Sequence, residues 1–364
     1  MNIEELYAHI QSQLDQQLPF VIYRKPEENT IYSVLQNNAD LHTVNSYDDS
    51  GFIFAPFDTT RGAILIPDTQ SIKYQTTIAY NDGEDIIADK HTDSINLIEE
   101  EDTSSKKLHL ELVKHGIHEI SKGTFEKVVL SRKEETPFSD KKRLQIFRQL
   151  IANYPTAFVY FWYHPKIGTW LGATPEVLVK IKGDEFVTMA LAGTQPYVDS
   201  MKVAWGRKEI EEQAMVTDFV LKQVSKVVTD VTHSETYTHK AGTLLHLRTD
   251  IKGILKGGTS VIKDIIAVLH PTPAVCGLPK KEATTFIVNN ETYDRSYYTG
   301  FLGELNVHTD GKTTSDLFVN LRCMQIRNEY AVLYVGGGIT KDSDPEKEWE
   351  ETVRKTATMK KVLS

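Results

Sequence analysis

Short apolar runs separated by turn residues dominate the first third of the chain. The spacing of apolar positions over residues 1–18 predicts an amphipathic helix. Four further apolar runs predict short strands, at 20–23, 31–35, 51–56 and 63–67. Residues 81–106 are polar and acidic without periodicity, which predicts a loop. We therefore expect an N-terminal portion at 1–107 and a larger portion at 108–364.

Helical and strand patterns follow one another in groups from residue 108 onward. Predicted helices lie at 108–122, 141–153, 205–226 and 261–269, and Gly123 is expected to cap the first of them. Predicted strands lie at 127–132, 157–163, 169–172, 177–181, 186–191, 245–254, 301–307, 317–326 and 330–335. Because the helices fall between groups of strands, the pattern favours an α+β fold over a doubly wound sheet. We expect a large, mixed and mostly antiparallel β core flanked by helices.

Composition narrows the class of protein. The 364 residues are 40% hydrophobic and 25% charged, which is typical of a soluble globular protein. A net charge of −9 argues against a general nucleic-acid binder and provides no basic membrane-binding face. The N-terminus lacks the pattern of a secretory signal, and no apolar run reaches the ~20 residues that would cross a bilayer. With only Cys276 and Cys323, the chain is predicted to be cytoplasmic.

A glycine-rich stretch near the C-terminus is the first candidate site. An apolar strand is predicted to end at Gly336–Gly338, and a charged helix is predicted to start at Pro345. On that helix Glu348, Glu351 and Lys355 share one face, because they are three and four residues apart. Two carboxylates and a lysine beneath an anion-binding turn indicate a metal ion that holds an acidic substrate. The alternative, a solvated helix with an ordinary salt bridge, is the one that these residues alone favour, because such pairs are common on helices.

Other polar residues lie where burial would change their chemistry. Lys127 opens an apolar strand, where burial favours the neutral amine. Glu176 ends a Gly-Ala-Thr-Pro turn, Glu212 lies on a helix rich in glutamate, and Arg322 lies within an apolar strand. The segment 270–280 contains three prolines and a glycine and is predicted to be a rigid loop. Each has an ordinary alternative: a solvated lysine, a cap, a wet helix face or a structural turn.

Eight motifs in one order connect these residues. They are KVVLSR, GATPE, LAGTQP, EEQAMVTD, HPTPAVCGLPK, DRSYYTGFLGE, NLRCMQI and GGGITKDSDPEKEWEETVRK. Together they resemble the chorismate-utilising enzymes, the family of isochorismate, salicylate, anthranilate and aminodeoxychorismate synthases. The resemblance covers 108–364, the expected chorismate-binding catalytic domain, whereas 1–107 is only loosely similar to the family's variable N-terminal part. It implies two packed sheets flanked by helices.

The resemblance also implies a magnesium site. Glu212 and Glu351 match the family's ligands for Mg²⁺, and Glu348 and Glu209 would lie beside the ion. Mg²⁺ prefers oxygen ligands and takes few protein carboxylates, so water and the ring carboxylate of chorismate would complete its coordination.

The remaining substrate-binding positions follow from the same motifs. Arg322, Lys355 and the backbone N–H groups near Gly337 and Gly338 would hold the enolpyruvyl carboxylate. The ring site and its proline-rich loop would be formed by Gly193, Thr194, His246, His270 and Ala274.

Catalytic roles are implied for two residues. Lys127 matches the base that activates water, and Glu176 matches the acid that protonates the leaving hydroxyl. The anthranilate branch has glutamine at the position of Lys127, and the aminodeoxychorismate branch has a lysine where this chain has Ala192. Salicylate synthases have threonine at the position of Ala274. These differences imply an isochorismate synthase, a monomer that interconverts chorismate and isochorismate reversibly.

Alternatives remain open from sequence. A salicylate synthase would also release pyruvate, a chorismate-binding protein would lack turnover, and a structural protein would leave the intact set of residues unexplained. Gln213 occupies a position where many relatives have histidine. This difference leaves the metal ligand Glu212 in place but could alter its orientation. Menaquinone, siderophore and salicylate synthesis are alternative fates of the product.

Overall fold

A computed structural model describes residues 1–44, 46–78, 103–138, 142–241, 244–257, 262–309 and 311–363. The helices are α1 (Ile3–Asp15), α2 (Thr103–Ser121), α3 (Arg143–Asn153), α4 (Arg207–Val224), α5 (Ile262–Leu269), α6 (Lys280–Asn290) and α7 (Pro345–Lys360), with a 3₁₀ turn at Asp68–Gln70. The strands are β1 (Phe20–Arg24), β2 (Thr30–Gln36), β3 (His42–Thr43), β4 (Gly51–Ala55), β5 (Ile64–Pro67), β6 (Ser71–Thr77), β7 (Lys127–Pro137), β8 (Phe158–His164), β9 (Gly168–Thr174), β10 (Val177–Lys182), β11 (Glu185–Pro196), β12 (Val228–His233), β13 (Tyr237–Ala241), β14 (Leu244–Leu255), β15 (Gly277–Leu278), β16 (Phe301–Thr309), β17 (Lys312–Val319), β18 (Cys323–Arg327) and β19 (Tyr330–Ile339).

The strands form two large sheets. The first has the order β15-β7-β19-β18-β9-β8-β1-β2-β6, and the second has the order β12-β14-β11-β10-β17-β16-β4-β5-β3, with β13 pairing to β14. Neighbouring strands run antiparallel throughout the described parts of both sheets. The predicted α+β fold with two packed, mostly antiparallel sheets is confirmed.

Aromatic side chains hold the two sheets face to face. Phe158 of the first sheet stacks on Phe318 of the second, with ring centroids 4.2 Å apart, and Trp162 contacts Phe54 at 4.8 Å. Helices cover the outer faces with apolar side chains. Those of α1 and α3 join one cluster, those of α4 and α5 a second, and those of α2 and α6 a third. Strands β1 and β4, for example, are buried at every position, as expected where both faces of a sheet are covered.

The N-terminal portion contributes to both sheets. In the first sheet β1 lies between β2 and β8, and in the second β4 lies between β5 and β16. Residues 81–102 of the predicted loop lie outside the described residues, and its predicted end is wrong because α2 already begins at Thr103. The predicted helix cap is confirmed: Gly123 has a φ of +80° and donates its N–H to Ile120.

Two predicted strands have different bounds in the structure. The last strand does not end at the glycines, because Gly336, Gly337 and Gly338 continue β19 and pair with β7. The predicted strand 317–326 is two strands, and the turn between them contains Arg322 at a φ of +47°. The sequence patterns did not predict β3, β6, β12, β13 or α6. Among the described helices, none is long and apolar enough to cross a membrane.

Candidate active site

A cleft opens where the end of β19 faces the second sheet. It encloses about 870 Å³, including its open mouth. Beyond Leu333, β19 loses its pairing with β18 while it keeps β7, so one edge of its backbone faces the cleft. Helices α4 and α7 close the cleft on one side, and the segment between β9 and β10 contributes Glu176. Most of the predicted site residues line it: Glu176, Thr194, Glu212, His246, Ala274, Arg322, Gly337, Gly338, Glu351 and Lys355.

Lys127 is fully buried beside the cleft. It opens β7, and its Nζ lies 2.8 Å from Oε1 of Glu212 as an ion pair without the alignment of a hydrogen bond. The ammonium therefore depends on one carboxylate for its compensation.

Glu176 is an acid that stays protonated at neutral pH. Only 4% of the residue is exposed, and burial raises the pKa of its carboxyl group to about 8, although the nearby Lys127 opposes this shift. Its backbone is fixed because its carbonyl accepts a hydrogen bond from Val319. A neutral carboxyl group of this kind can donate a proton to a bound molecule.

Three carboxylates converge on the glycines of β19, and each is paired with a lysine. Glu351 lies 2.6 Å from Lys355, and Glu348 lies 2.5 Å from Lys208. Burial and then Glu351 raise the pKa of Glu348, although Lys208 opposes them, whereas Lys355 keeps the pKa of Glu351 below its usual value despite burial. The predicted shared face of Glu348, Glu351 and Lys355 is therefore present on α7.

Glycine is required at position 338, where Glu212 and Lys127 meet the strand, whereas position 337 has more room. A Cβ on Gly338 would lie 2.4 Å from Oε1 of Glu212 and 3.0 Å from Cε of Lys127. A Cβ on Gly337 would lie 3.4 Å from Oε2 of Glu348 and 3.9 Å from Oε1 of Glu351. Because glycine has no side chain, groups from α4, α7 and β7 can approach the backbone of the strand here.

The chemistry of these donors fits magnesium. Carboxylate oxygens are the ligands that Mg²⁺ prefers, and the ion commonly takes only one or two of them from the protein. Glu212 and Glu351 provide such a pair, and Oε2 of Glu348 is buried without a hydrogen-bond partner of good geometry. In the ranges that the structure describes, no three His, Cys, Asp or Glu side chains are already gathered to hold a metal ion. Glu209 points away, because its Oε2 lies over Gly206 at the start of α4.

His246 presents a hydrogen-bond acceptor to the cleft. Its Nδ1 lies 2.9 Å from the carbonyl oxygen of Gly193 and 3.3 Å from Oγ1 of Thr194. Because a carbonyl can only accept, Nδ1 carries the hydrogen, and burial lowers the pKa of the ring to about 3. Its buried Nε2 therefore remains an unprotonated acceptor, and no residue that the structure describes donates a hydrogen bond to it. A hydroxyl group of a ligand is the donor that it suits.

Arg322 lies at the floor of the cleft between β17 and β18. Its strained backbone is held by a hydrogen bond from Ala173 N–H to its carbonyl, 3.0 Å long. Burial lowers the pKa of the guanidinium, and Glu351 and Tyr298 lie close enough to oppose this. A half-buried guanidinium facing the same cleft as Lys355 suits a carboxylate ligand.

His270 lies behind the cleft. It is 2% exposed, its ring contacts Phe301 edge-on at 5.0 Å, and burial lowers its pKa to about 3. It therefore holds the proline-rich loop against the second sheet, and Ala274 of that loop faces the cleft. The predicted rigid loop is a turn followed by β15, which pairs with Lys127 and Val128 of β7.

Sequence reasoning missed several residues of the site. Tyr298 and Tyr334 line the cleft as a stacked pair with centroids 5.5 Å apart, and Lys208 binds Glu348. Tyr298 lies within a motif already singled out, and Lys208 is one helical turn before Glu212. The helical spacing was a signal for Lys208, but its partner on α7 could not be inferred from α4 alone.

The fold and the cleft together define an enzyme that acts on a small molecule. A sequence model of the chorismate binding enzyme family matches residues 65–364. The chain belongs to that family.

Named relatives agree with this assignment. Isochorismate synthase DhbC of Bacillus subtilis is 28% identical over 324 residues, which are 85% of this chain and 79% of the relative. The putative isochorismate synthase MenF of Mycobacterium tuberculosis is 31% identical over 259 residues, 66% of this chain and 68% of the relative. The crystal structure of a putative 2,3-dihydroxybenzoate-specific isochorismate synthase, DhbC from Bacillus anthracis, shares the fold. Its TM-score is 0.76 at 22% identity, and the match covers 97% of this chain and 99% of that one.

Proposed function

We propose that this protein is an isochorismate synthase that converts chorismate to isochorismate reversibly. The observation that carries the proposal is the pair of buried groups at the cleft, the acid Glu176 with a pKa of about 8 and the amine of Lys127. Relatives named isochorismate synthase support the same reaction. We also expect the enzyme to be a cytoplasmic monomer.

In the proposed substitution, Lys127 acts on the entering water and Glu176 acts on the leaving hydroxyl. Neutral Lys127 removes a proton from water, whose oxygen attacks C2 of the ring. The ring double bonds shift, and Glu176 gives its proton to the hydroxyl leaving C4, so one water enters and one leaves. Both groups then hold the protonation states that the reverse reaction needs. The raised pKa of Glu176 suits its role, because a carboxyl group that is neutral near pH 7 can donate its proton to the leaving hydroxyl.

Other residues of the cleft hold and orient the substrate. Arg322 and Lys355 would bind its carboxylate groups, and Nε2 of His246 would accept a hydrogen bond from a ring hydroxyl. Glu212 and Glu351, with Glu348 beside them, would hold Mg²⁺. When bound, the ion supplies positive charge that orients a carboxylate of the substrate and offsets its charge.

The test is product analysis with and without Mg²⁺. Purified protein is incubated with chorismate, the products are separated by chromatography, and pyruvate is assayed in the same tube. We expect an isomer of chorismate that appears only with Mg²⁺ and reaches a plateau without pyruvate. Stoichiometric pyruvate with salicylate would instead assign the salicylate synthase reaction, and binding of chorismate without turnover would assign a binding protein.

Variants test the two catalytic roles. We expect Lys127→Ala and Glu176→Gln each to lower kcat by roughly 10²-fold or more, because each removes one proton transfer. Circular dichroism should show an unchanged fold. A near-normal rate in either variant would contradict the role of that residue.

A further inference from the structure

Three lysines pair with the carboxylates at the cleft, and one of them, Lys208, has no role in the proposed reaction. In the proposed reaction Lys127 is the base, and Lys355 lies in the cleft, where it also donates to the carbonyl of Gly336 at 2.9 Å. Lys208 has no such role, since it is absent from the lining of the cleft. It instead forms an ion pair with Glu348, beside the carboxylates that would hold the metal ion.

Lys208 joins the two helices that carry these carboxylates. It lies on α4, one turn before Glu212, and its Nζ is 2.5 Å from Oε1 of Glu348 on α7. The side chain of Glu348 is only 3% exposed, whereas that of Lys208 is 27% exposed. The lysine therefore reaches in from the solvent side and compensates a carboxylate that is almost completely buried.

A fixed positive charge at this place opposes the binding of a cation. Lys208 interacts electrostatically with Glu212 and Glu351 as well as with Glu348. An ammonium that interacts with all three acids lowers the negative potential that attracts a divalent ion, and because these groups are largely buried, solvent screens the effect less than it would between exposed charges. The same ion pair keeps Oε1 of Glu348 engaged.

We propose that Lys208 is a built-in competitor of the divalent cation, which weakens metal binding by occupying Glu348 and by its charge. This inference rests on the proposed magnesium site and assigns to it a residue that sets its affinity. An enzyme with such a residue binds the free ion weakly, and the negative charge of a bound substrate offsets the lysine.

The test measures binding of Mn²⁺ to the substrate-free protein by electron paramagnetic resonance at pH 8. Lys208→Gln removes the charge, and we expect it to lower the Kd for Mn²⁺ by about tenfold. Lys208→Arg keeps the charge and should bind Mn²⁺ within about twofold of the wild type. Arg207→Gln is the matched control, because Arg207 is the adjacent residue, its side chain is 86% exposed, and it pairs with Glu211 away from the site.

Each outcome decides one point. An unchanged or raised Kd in Lys208→Gln would overturn the inference, as would an equal gain in Arg207→Gln, which would indicate a general effect of net charge. In a Glu348→Gln background the gain from Lys208→Gln should shrink, because the pair is already broken. Glu351→Gln should abolish binding of Mn²⁺, seen as a free-ion signal at its full height. If neither the wild type nor Lys208→Gln binds Mn²⁺, the proposed metal site itself is overturned, and the inference with it.

Discussion

Burial sets the chemistry of individual side chains in this protein. Glu176 and His246 have no charged partner within hydrogen-bond distance among the described residues, and burial shifts the pKa of each toward the neutral form. Glu351 shows the opposite result, because Lys355 outweighs burial. Residues of one type thus acquire different protonation states within one cleft, and acid–base chemistry depends on such differences.

The protonation of Glu176 predicts a pH dependence of stability. Its pKa rises from 4.5 in the unfolded chain to about 8 in the folded protein. Its neutral form therefore favours folding fully below about pH 4.5, and this contribution is lost as the pH rises through 8. Relative to Glu176→Gln, the unfolding free energy of the wild type should fall by up to about 1.4 kcal/mol per pH unit between roughly pH 5 and 8.

Urea denaturation of both proteins across this pH range provides the measurement. The glutamine variant has a side chain of the same size that cannot ionise. A difference between the two proteins that changes with pH therefore reports ionisation of Glu176 and not a change in packing. A constant difference between the two proteins from pH 5 to 9 would show that Glu176 is already ionised in the folded state.

For single residues, the sequence predicted which side chains form the site better than it predicted which residues they bind. The motifs indicated Lys127, Glu176, Glu212 and Glu351, because each of them lies in a short, recognisable sequence. The bond between Lys208 and Glu348 was not predictable, since the two residues are 140 positions apart in the sequence and lie on different helices.

Strand β19 determines the position of the site at the scale of the element. Its three glycines favoured a strand end in the sequence, because glycine weakens an isolated strand. The structure continues the strand through them because β7 supplies a complete row of partners, Ser131, Leu130 and Val129. The two paired strands are about 200 residues apart in the sequence. Such a pairing cannot be inferred from the local pattern. The start of α7 was local and was predicted, with Asp344 as its N-cap.

A pair of glycine variants tests the approach of side chains to β19. In Gly338→Ala the new methyl group would displace the carboxylate of Glu212 and the stem of Lys127. Because both are ends of flexible side chains, we expect a thermal shift of only a few degrees but a loss of activity of roughly 10²-fold.

Gly337→Ala is the matched control. Its methyl group meets no atom closer than 3.4 Å, so activity should stay within about tenfold of the wild type. Chorismate turnover and thermal melting of both variants provide the measurements. Equal losses in the two variants would show that general stiffening of the strand, rather than contact with Glu212, causes the effect.

A buried ion pair connects distant segments at the scale of the whole molecule. Arg295 binds Glu291, and both side chains are 2% exposed. Its guanidinium also donates to the carbonyls of Val129 on β7 and Val275 in the proline-rich loop, at 2.7 and 2.9 Å. Val129 and Val275 both line the cleft, so this pair fixes two of its walls to each other.

Removing one partner of this pair should destabilise the whole protein. We expect Arg295→Met to lower the unfolding free energy by about 3–5 kcal/mol, because it leaves Glu291 buried and unpaired. Adding Glu291→Leu should restore a large part of the loss. Arg148→Met is the control: its ion pair with Glu4 is exposed, and its loss should cost at most about 1 kcal/mol. Chemical denaturation of the three variants measures these differences, and equal costs for the two arginines would contradict the argument.

The position of the N-terminal strands, which form one end of each sheet, has a consequence for the newly made chain. Phe20 of β1 pairs with Tyr163, and Ala55 of β4 pairs with Phe301, so these strands leave the ribosome long before their partners exist. Until then their apolar faces and open edges are exposed to other nascent chains. Neither sheet can close before its last strands have been translated, so we expect this protein to acquire its fold only after release, with molecular chaperones guarding its first strands meanwhile.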